Sequence, residues 1–391
     1  MGGGVIIFCL YGGVFLRASA DVLLYAYLPL YFLNNLGETR LWIIGLLVGV
    51  PSLVRLGVAP LWGKYVDRVG RQGFFFTGGL LAYAIFFFLL PRFSSPMQVV
   101  RAAAFAAVFT SVFNPASRAW LLYGGPEQGL RRLASWHQWE AAGYLVSSVT
   151  IGWVVNNGYL DLAEIPLLLS MLLGIGAIAI GLFLPSIPTG SGAERRKRGQ
   201  QTSSHLREIP GGADLLPYAA LVYLLASSFT WEIVATTFGM YFIGMLGGSM
   251  RLYGLLMGTS TFVSVVAYGL LAGFCQKRGY YRVFQIAAWG YTAMYLLMAY
   301  PSVPTVSCGY LLPMNTVVRT AMNGLVANQV PEIYHGEAMG LMDSVEAGSL
   351  AWGDILGGLI AHGQGLAFIP KIALAGSVLL HILAPRTNKG R

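Results

Sequence analysis

Charged residues are scarce in this sequence. They make up only 10% of its 391 residues, where a soluble domain carries roughly a quarter. A water-soluble body of this length with so little polar surface would leave large apolar areas facing solvent. Cysteine is scarcer still. Cys9, Cys275 and Cys308 are the only three, and none forms a C-x-x-C pair, which excludes a disulfide scaffold and a thiolate zinc ribbon; they read as buried free thiols. His137, His205, His335, His362 and His381 are scattered and form neither HExxH nor another metal spacing. There is no G-x-x-x-x-G-K-[ST] phosphate loop and no nucleophile constellation. No metal, no cofactor and no enzymatic activity are therefore expected.

Apolar length is what the chain has in abundance. Hydrophobic residues reach 56% and the mean hydropathy is +0.63. A helix needs about 20 apolar residues to cross a bilayer core of roughly 30 Å. Twelve such stretches are legible, at approximately 5–33, 41–61, 73–91, 97–122, 134–156, 163–185, 214–246, 252–274, 283–300, 303–327, 337–361 and 366–384. The first is too long for a signal-peptide core, so it is expected to stay as a span. The expectation is an all-α polytopic membrane protein: a six-helix bundle over 1–185, a polar linker over 186–213 carrying Arg195-Arg196-Lys197-Arg198, and a second six-helix bundle over 214–391.

The net charge of +9 could suggest nucleic acid, but its distribution does not. Lys64, Arg68, Arg71, Arg131, Arg132, the 195–198 run, Arg207, Lys277, Arg278, Arg282, Arg386, Lys389 and Arg391 fall on one side of the predicted topology. Only Arg40, Arg92 and Arg251 fall in loops on the other. This bias places both termini in the cytoplasm of a bacterial inner membrane or a plasma membrane. Nucleic acid is not an expected partner; membrane lipid and a small-molecule substrate are.

The halves also repeat each other in parallel register. GLLVGVPSLVRLGVAPLWGKYVDRVG (45–70) lies over GLLMGTSTFVSVVAYGLLAGFCQKRG (254–279) without a gap, and LPLYFLNNLG (28–37) over FGMYFIGMLG (238–247). A weaker match sets 114–127 over 319–332. Parallel six-span repeats are a transporter plan with the binding site at the midplane between halves.

Gly63-Lys64-Tyr65-Val66-Asp67-Arg68-Val69-Gly70-Arg71 follows the second span. It resembles the G-x-x-x-D-R-x-G-R/K signature of the major facilitator superfamily (MFS), and the preceding Ala59-Pro60-Leu61-Trp62 fits its members. The resemblance implies two pseudo-symmetric six-helix bundles forming a secondary active transporter, and a monomer is expected. It also implies a cytoplasmic latch built on Gly63, Asp67, Arg68, Gly70 and Arg71. In that latch Asp67 meets a helix N-terminus and an arginine of span four, with Arg118 the candidate and Glu140 able to complete the cluster. The alternative is that these charges only anchor the loop. The second-half copy has Gln276 where Asp67 stands, so the halves are expected to close unequally. Family antiporters often carry a Gly-Pro-rich signature in span five; SSVTIGWVV stands there instead.

Ionisable groups at membrane depth usually line a cavity or pair with each other. Arg17 and Asp21 stand four apart on span one, on one helical face, and can pair. Glu232 lies mid-span in the seventh, one residue from the repeat equivalent of Asp21. Glu232, with Asp21, is the candidate proton-coupling or cation-recognising acid, whereas Asp21 could instead only neutralise Arg17. Arg55 could hold a carboxylate or phosphate through its bidentate fork. Arg55 and Arg319 could equally neutralise Glu140, Asp343 or Glu346. Trp231 is a candidate stacking residue. The expected function is alternating-access transport of a small organic solute, coupled to protons. Export of amphipathic drugs or lipids, or a receptor or scaffold role without transport, are the alternatives.

Overall fold

The computed structural model describes residues 3–69, 72–114, 116, 126–183, 217–330 and 335–385. Among these, the chain forms twelve helical rods. α1 (Gly3–Val22) runs through a π-helical turn at Leu23–Tyr27 into α2 (Leu28–Asn35), making one continuous rod. α3 (Leu41–Val69), α4 (Gln72–Leu89), α5 (Pro96–Thr110), α6 (Pro126–Asn156) and α7 (Ile165–Phe183) complete the first half. α8 (Tyr218–Gly239), extended by a π-helical turn at Met240–Met245, opens the second. It is followed by α9 (Met250–Arg278), α10 (Tyr280–Ala299), a rod broken between α11 (Val303–Tyr310) and α12 (Met314–Gln329), α13 (His335–Gln364) and α14 (Ile369–Leu383). The predicted linker 186–213 lies outside the described residues.

Local chemistry marks the ends of these rods. Ser95 caps α5 in a reciprocal box with Gln98, followed by Pro96 at the first helical position. Ser249 and Ser302 cap α9 and α11 in the same way, each accepting from the backbone N–H three residues on. Gly37 (φ 60°) and Gly247 (φ 72°) take the left-handed conformation at equivalent places in the repeat. There the N–H of Glu38 reaches the carbonyl of Phe32, and that of Gly248 reaches the carbonyl of Phe242. α3, α6 and α9 run beyond the spans expected from apolarity, because helical backbone bonding continues through polar turns that emerge from the apolar slab.

Seven of the described helices are individually long and apolar enough to cross a membrane. The others include α5, shorter at 15 residues, and those that carry charge or a break: α6 with Glu140, α12 with Arg319, α13 with Asp343, Glu346 and Asp354. Large apolar side chains point outward, including Phe105 (68% exposed), Leu182 (75%), Leu270 (72%) and Ile382 (69%). That inverted surface is what lipid, not water, accepts.

The halves meet through small residues in two symmetric seams. α3 packs on α13, and α9 on α6. A Cβ added at Gly45 would lie 2.5 Å from the carbonyl oxygen of Asp354, and one at Gly254 would lie 2.3 Å from that of Ser148. Gly358 touches the backbone of Gly45 as Gly152 touches that of Gly254, and Gly49 meets Ile355 as Gly258 meets Val149. Each contact in one seam thus has its repeat-related counterpart in the other. Tyr253 adds a hydrogen bond across the halves, donating to the carbonyl of Ala26 (3.2 Å).

Among the described residues these glycine contacts lie toward one end of the bundle. Gly269 lies eleven residues beyond Gly258, about three turns along the same face of α9, and a Cβ there would meet nothing within 4 Å. Gly348, one heptad before Ile355 on α13, is equally open. Among the described residues, the glycine contacts between the halves lie toward the 36–40 and 247–249 loops, and the α9 and α13 faces are open toward the opposite end.

Candidate functional site

Arg17, Asp21, Arg55, Glu140, Glu232 and Arg319 lie near the middle of their rods, and the charges gather in two clusters. In the first half, Arg17 of α1 pairs with Asp21 (2.6 Å) and with Glu140 of α6 (2.7 Å). The Asp21 carboxylate is 1% exposed. Its remaining capacity is taken by the hydroxyls of Tyr83 on α4 (2.7 Å) and Tyr144 on α6 (3.4 Å). His137 sits 3.2 Å from Glu140, and Ser147 donates to Ser19 (2.6 Å) beside them. Close helix approach makes this possible: Gly143 lets α6 lie against the backbone of Phe15 and the side chain of Ala18. Arg55 of α3 joins from the other side. It donates to the hydroxyls of Tyr83 (2.9 Å) and Tyr25, and its guanidinium lies 5.7 Å from the centre of the Tyr25 ring.

The second half is built differently. Arg319 of α12 is held by Glu346 of α13 through Nε (2.8 Å) and a terminal nitrogen. Glu232 of α8 abuts Gly353, whose missing side chain makes room for it: a Cβ there would lie 2.7 Å from that of Glu232. Among the described residues no hydrogen bond or ion pair engages the Glu232 carboxylate. Asp354, next along α13, is 1% exposed. It accepts from the Thr236 hydroxyl, while its second oxygen has no partner among the described residues. Glu232 and Asp354 lie in each other's electrostatic field. Trp231 packs on Tyr310 (ring centres 5.5 Å apart), which stacks on Phe238 (4.1 Å).

Tyr25, bonded to Arg55, lies within the field of Asp354. Sequence reasoning brought together Arg17 with Asp21 and Arg319 with the acidic patch of α13. Glu140, expected to join Asp67 and Arg118, takes Arg17 and His137 as its partners. The motif residues Gly63, Asp67 and Arg68 ride the last turns of α3; their side chains, with Gly70, Arg71 and Arg118, lie outside the described residues. Asp354 was not singled out as a site residue. Its signal was available, since an acid inside Leu350–Ile360 is as exceptional at membrane depth as Glu232. Tyr83 gave no such signal, because a tyrosine within LLAYAIFFF reads as packing.

A helical bundle with charges turned inward, two glycine seams between repeated halves and a midplane polar track is the architecture of a membrane carrier. Residues 9–353 match the Major Facilitator Superfamily; the chain belongs to that family and is a multi-pass secondary transporter. Its structure resembles that of a mutant of the nucleoside transporter NupG (TM-score 0.75, 14% identity, covering 96% of this chain and 98% of that one). It also resembles a bacterial homolog of the human lysosomal transporter Spinster in an inward-facing, unoccupied conformation (TM-score 0.74, 12% identity, 98% and 96%). Among curated proteins, a staphyloferrin B transporter of Staphylococcus aureus is 28% identical over 107 residues. That match spans only 26% of this chain and 25% of the relative's length.

Proposed function

We propose that this protein moves a small organic solute across the membrane by alternating access, driven by protons, with Glu232 as the group that loads and releases the proton. The observation that carries the reading is the unpartnered Glu232 carboxylate at mid-span, beside the buried Asp354. Two acids in one poorly solvated place cannot readily both be ionised, so the pair favours holding a proton. Asp21 plays the structural part in this reading, because Arg17 and two tyrosines occupy it.

Alternating access is supported by the one-ended seams. Glycines let the halves close tightly near the 36–40 and 247–249 loops, and smooth small-residue surfaces permit rocking. The parted end is the one from which the basic turn after α9 emerges, so by charge bias it faces the cytoplasm and the chain is in an inward-open state. The bundles divide at the 186–213 linker, both termini are cytoplasmic, and the protein works as a monomer. The motif around Gly63, Asp67, Arg68, Gly70 and Arg71, with Arg118, serves as the latch that closes this parted end. The test is flux in vesicles: wild-type protein couples solute movement to an imposed pH gradient, and Glu232→Gln does not. Undiminished proton-driven flux in that variant would overturn the assignment.

A further inference from the structure

Three arginines stand mid-rod, and they are not equally engaged. Arg17 has two carboxylates and Arg319 is clamped by one. Arg55 has none among the described residues. Two of its N–H groups go to the neutral hydroxyls of Tyr25 and Tyr83, and a guanidinium has five. The nearest acid in its network, Asp21, lies behind Tyr83 and is itself taken by Arg17. Tyr25 and Tyr83 fix the orientation of the guanidinium without neutralising it, and Arg55 is only partly covered. A desolvated cation held this way is short of an anion.

Resting on the transport reading above, we propose that the transported solute is an organic anion whose carboxylate or phosphate docks on the free N–H groups of Arg55, and that it travels with a proton taken up at Glu232. Charge balance links the two. Among the described residues neither Arg55 nor the Glu232 carboxylate has an ion-pair partner, and one stands in each half. An anion on Arg55 takes over as its counter-ion and leaves Glu232 in a more negative surrounding, where the protonated form is favoured. One negative and one positive charge have then entered, so the halves close around an unchanged net charge. Closing around an extra one would cost several kcal/mol in a medium of low dielectric constant.

The groups facing Glu232 act in the same sense or stay constant. Asp354 and Glu346 on α13 oppose a second negative charge, Arg319 is already clamped by Glu346, and Tyr291, Tyr295 and Tyr310 are neutral. A cationic solute would meet Arg55 on entry, and a neutral one would leave its fork unused.

The experiment is a thermal-shift screen of the purified full chain with succinate, citrate, glucuronate, glucose 6-phosphate, inorganic phosphate, uridine, choline and glycylglycine. Each stabilising solute is then followed by flux in proteoliposomes with a trapped pH dye. Acidic solutes are expected to stabilise the wild type. At least tenfold affinity should be lost in Arg55→Gln and part of it recovered in Arg55→Lys. Tyr25→Phe, which keeps the charge and loosens the fork, covers the case in which Arg55→Gln fails to fold and is expected to weaken the same solutes. Carboxylate-only or phosphate-only stabilisation identifies the acidic group. Stabilisation by uridine, choline or glycylglycine alone, absence of any acidic stabiliser, or acid binding unaffected by the Arg55 and Tyr25 variants would each overturn the proposal. Proton-coupled flux of a non-anionic solute would sink the anion assignment and leave the transport reading standing, whereas stabilising solutes that never cross would sink the transport reading itself.

Discussion

The two halves share a scaffold and differ in chemistry. Their seams correspond contact for contact, with Gly45 on Asp354 in one and Gly254 on Ser148 in the other. At that matched position the first half has a serine whose carbonyl accepts from Tyr27 (2.7 Å), and the second has a buried acid. Among the described residues, the first half ties Arg17, Asp21 and Glu140 to one another and leaves Arg55 outside any ion pair. Among the described residues, the second half leaves the Glu232 carboxylate and one oxygen of Asp354 without hydrogen-bond partners. Symmetry thus serves the rocking surfaces, which must fit in both seams, while the chemistry of a site needed once per molecule departs from it.

The sharpest way to break this contrast is to exchange neutral for acidic groups on each side. Glu232→Gln is expected to bring proton-driven flux to background with little change in melting temperature, since no bond is lost. Asp21→Asn should do the reverse in kind. It takes away one of the two carboxylates on Arg17 while Glu140 stays paired with it, and should destabilise the fold by about 1.5–3 kcal/mol, the worth of a hydrogen bond to a charged group, read as a fall in melting temperature. If Asp21→Asn melts like wild type and Glu232→Gln unfolds, the division between a structural and a functional cluster is reversed.

The seams come next in size. Gly254→Ala puts a methyl against the carbonyl of Ser148 and should cost about 1–3 kcal/mol of packing in the closed end. Labelling of a cysteine placed at that end should rise accordingly. Gly269→Ala, on the same face of α9 but open, should leave labelling unchanged. Equal effects would mean that the halves do not part along α9.

The smallest expected effect concerns the 36–40 loop. Arg40 donates to Glu38 from its backbone N–H, Nε and a terminal nitrogen (2.8, 2.8 and 2.7 Å), and these bonds hold the Glu38 carboxyl below its ordinary value of 4.5. A depressed value means that the contribution to stability is present above about pH 4.5 and is lost as the pH falls through the lower, folded-state value. Acid-range melting curves of wild type and Glu38→Gln should therefore converge at low pH and separate above it. The matching loop has Gly248 in place of Glu38 and should be indifferent.

Much of this was legible from residues alone where the signal is local. Spans follow from runs of apolar side chains, and the Arg17–Asp21 pair follows from helical spacing. The matched glycines follow from the repeat, since Gly45 and Gly49 lie over Gly254 and Gly258. Signals failed where a partner lies far along the chain. Glu140, able by position to complete the cluster with Asp67 and Arg118, reaches Arg17, 123 residues away, while the Asp67 and Arg118 side chains lie outside the described residues. Asp354 stands out at membrane depth in the sequence, but its partners, Thr236 and Glu232, are neighbours only in space.

The sequence by itself determined that the chain lives in lipid, that it repeats, and which few charges are placed at depth, because hydropathy, periodicity and spacing are properties of neighbouring residues. Only the tertiary structure decided which of those charges neutralise one another and which remain unpaired. Pairing depends on which faces of distant helices are brought together, and in a medium without water that decides whether a charge is part of the framework or is left to meet a solute.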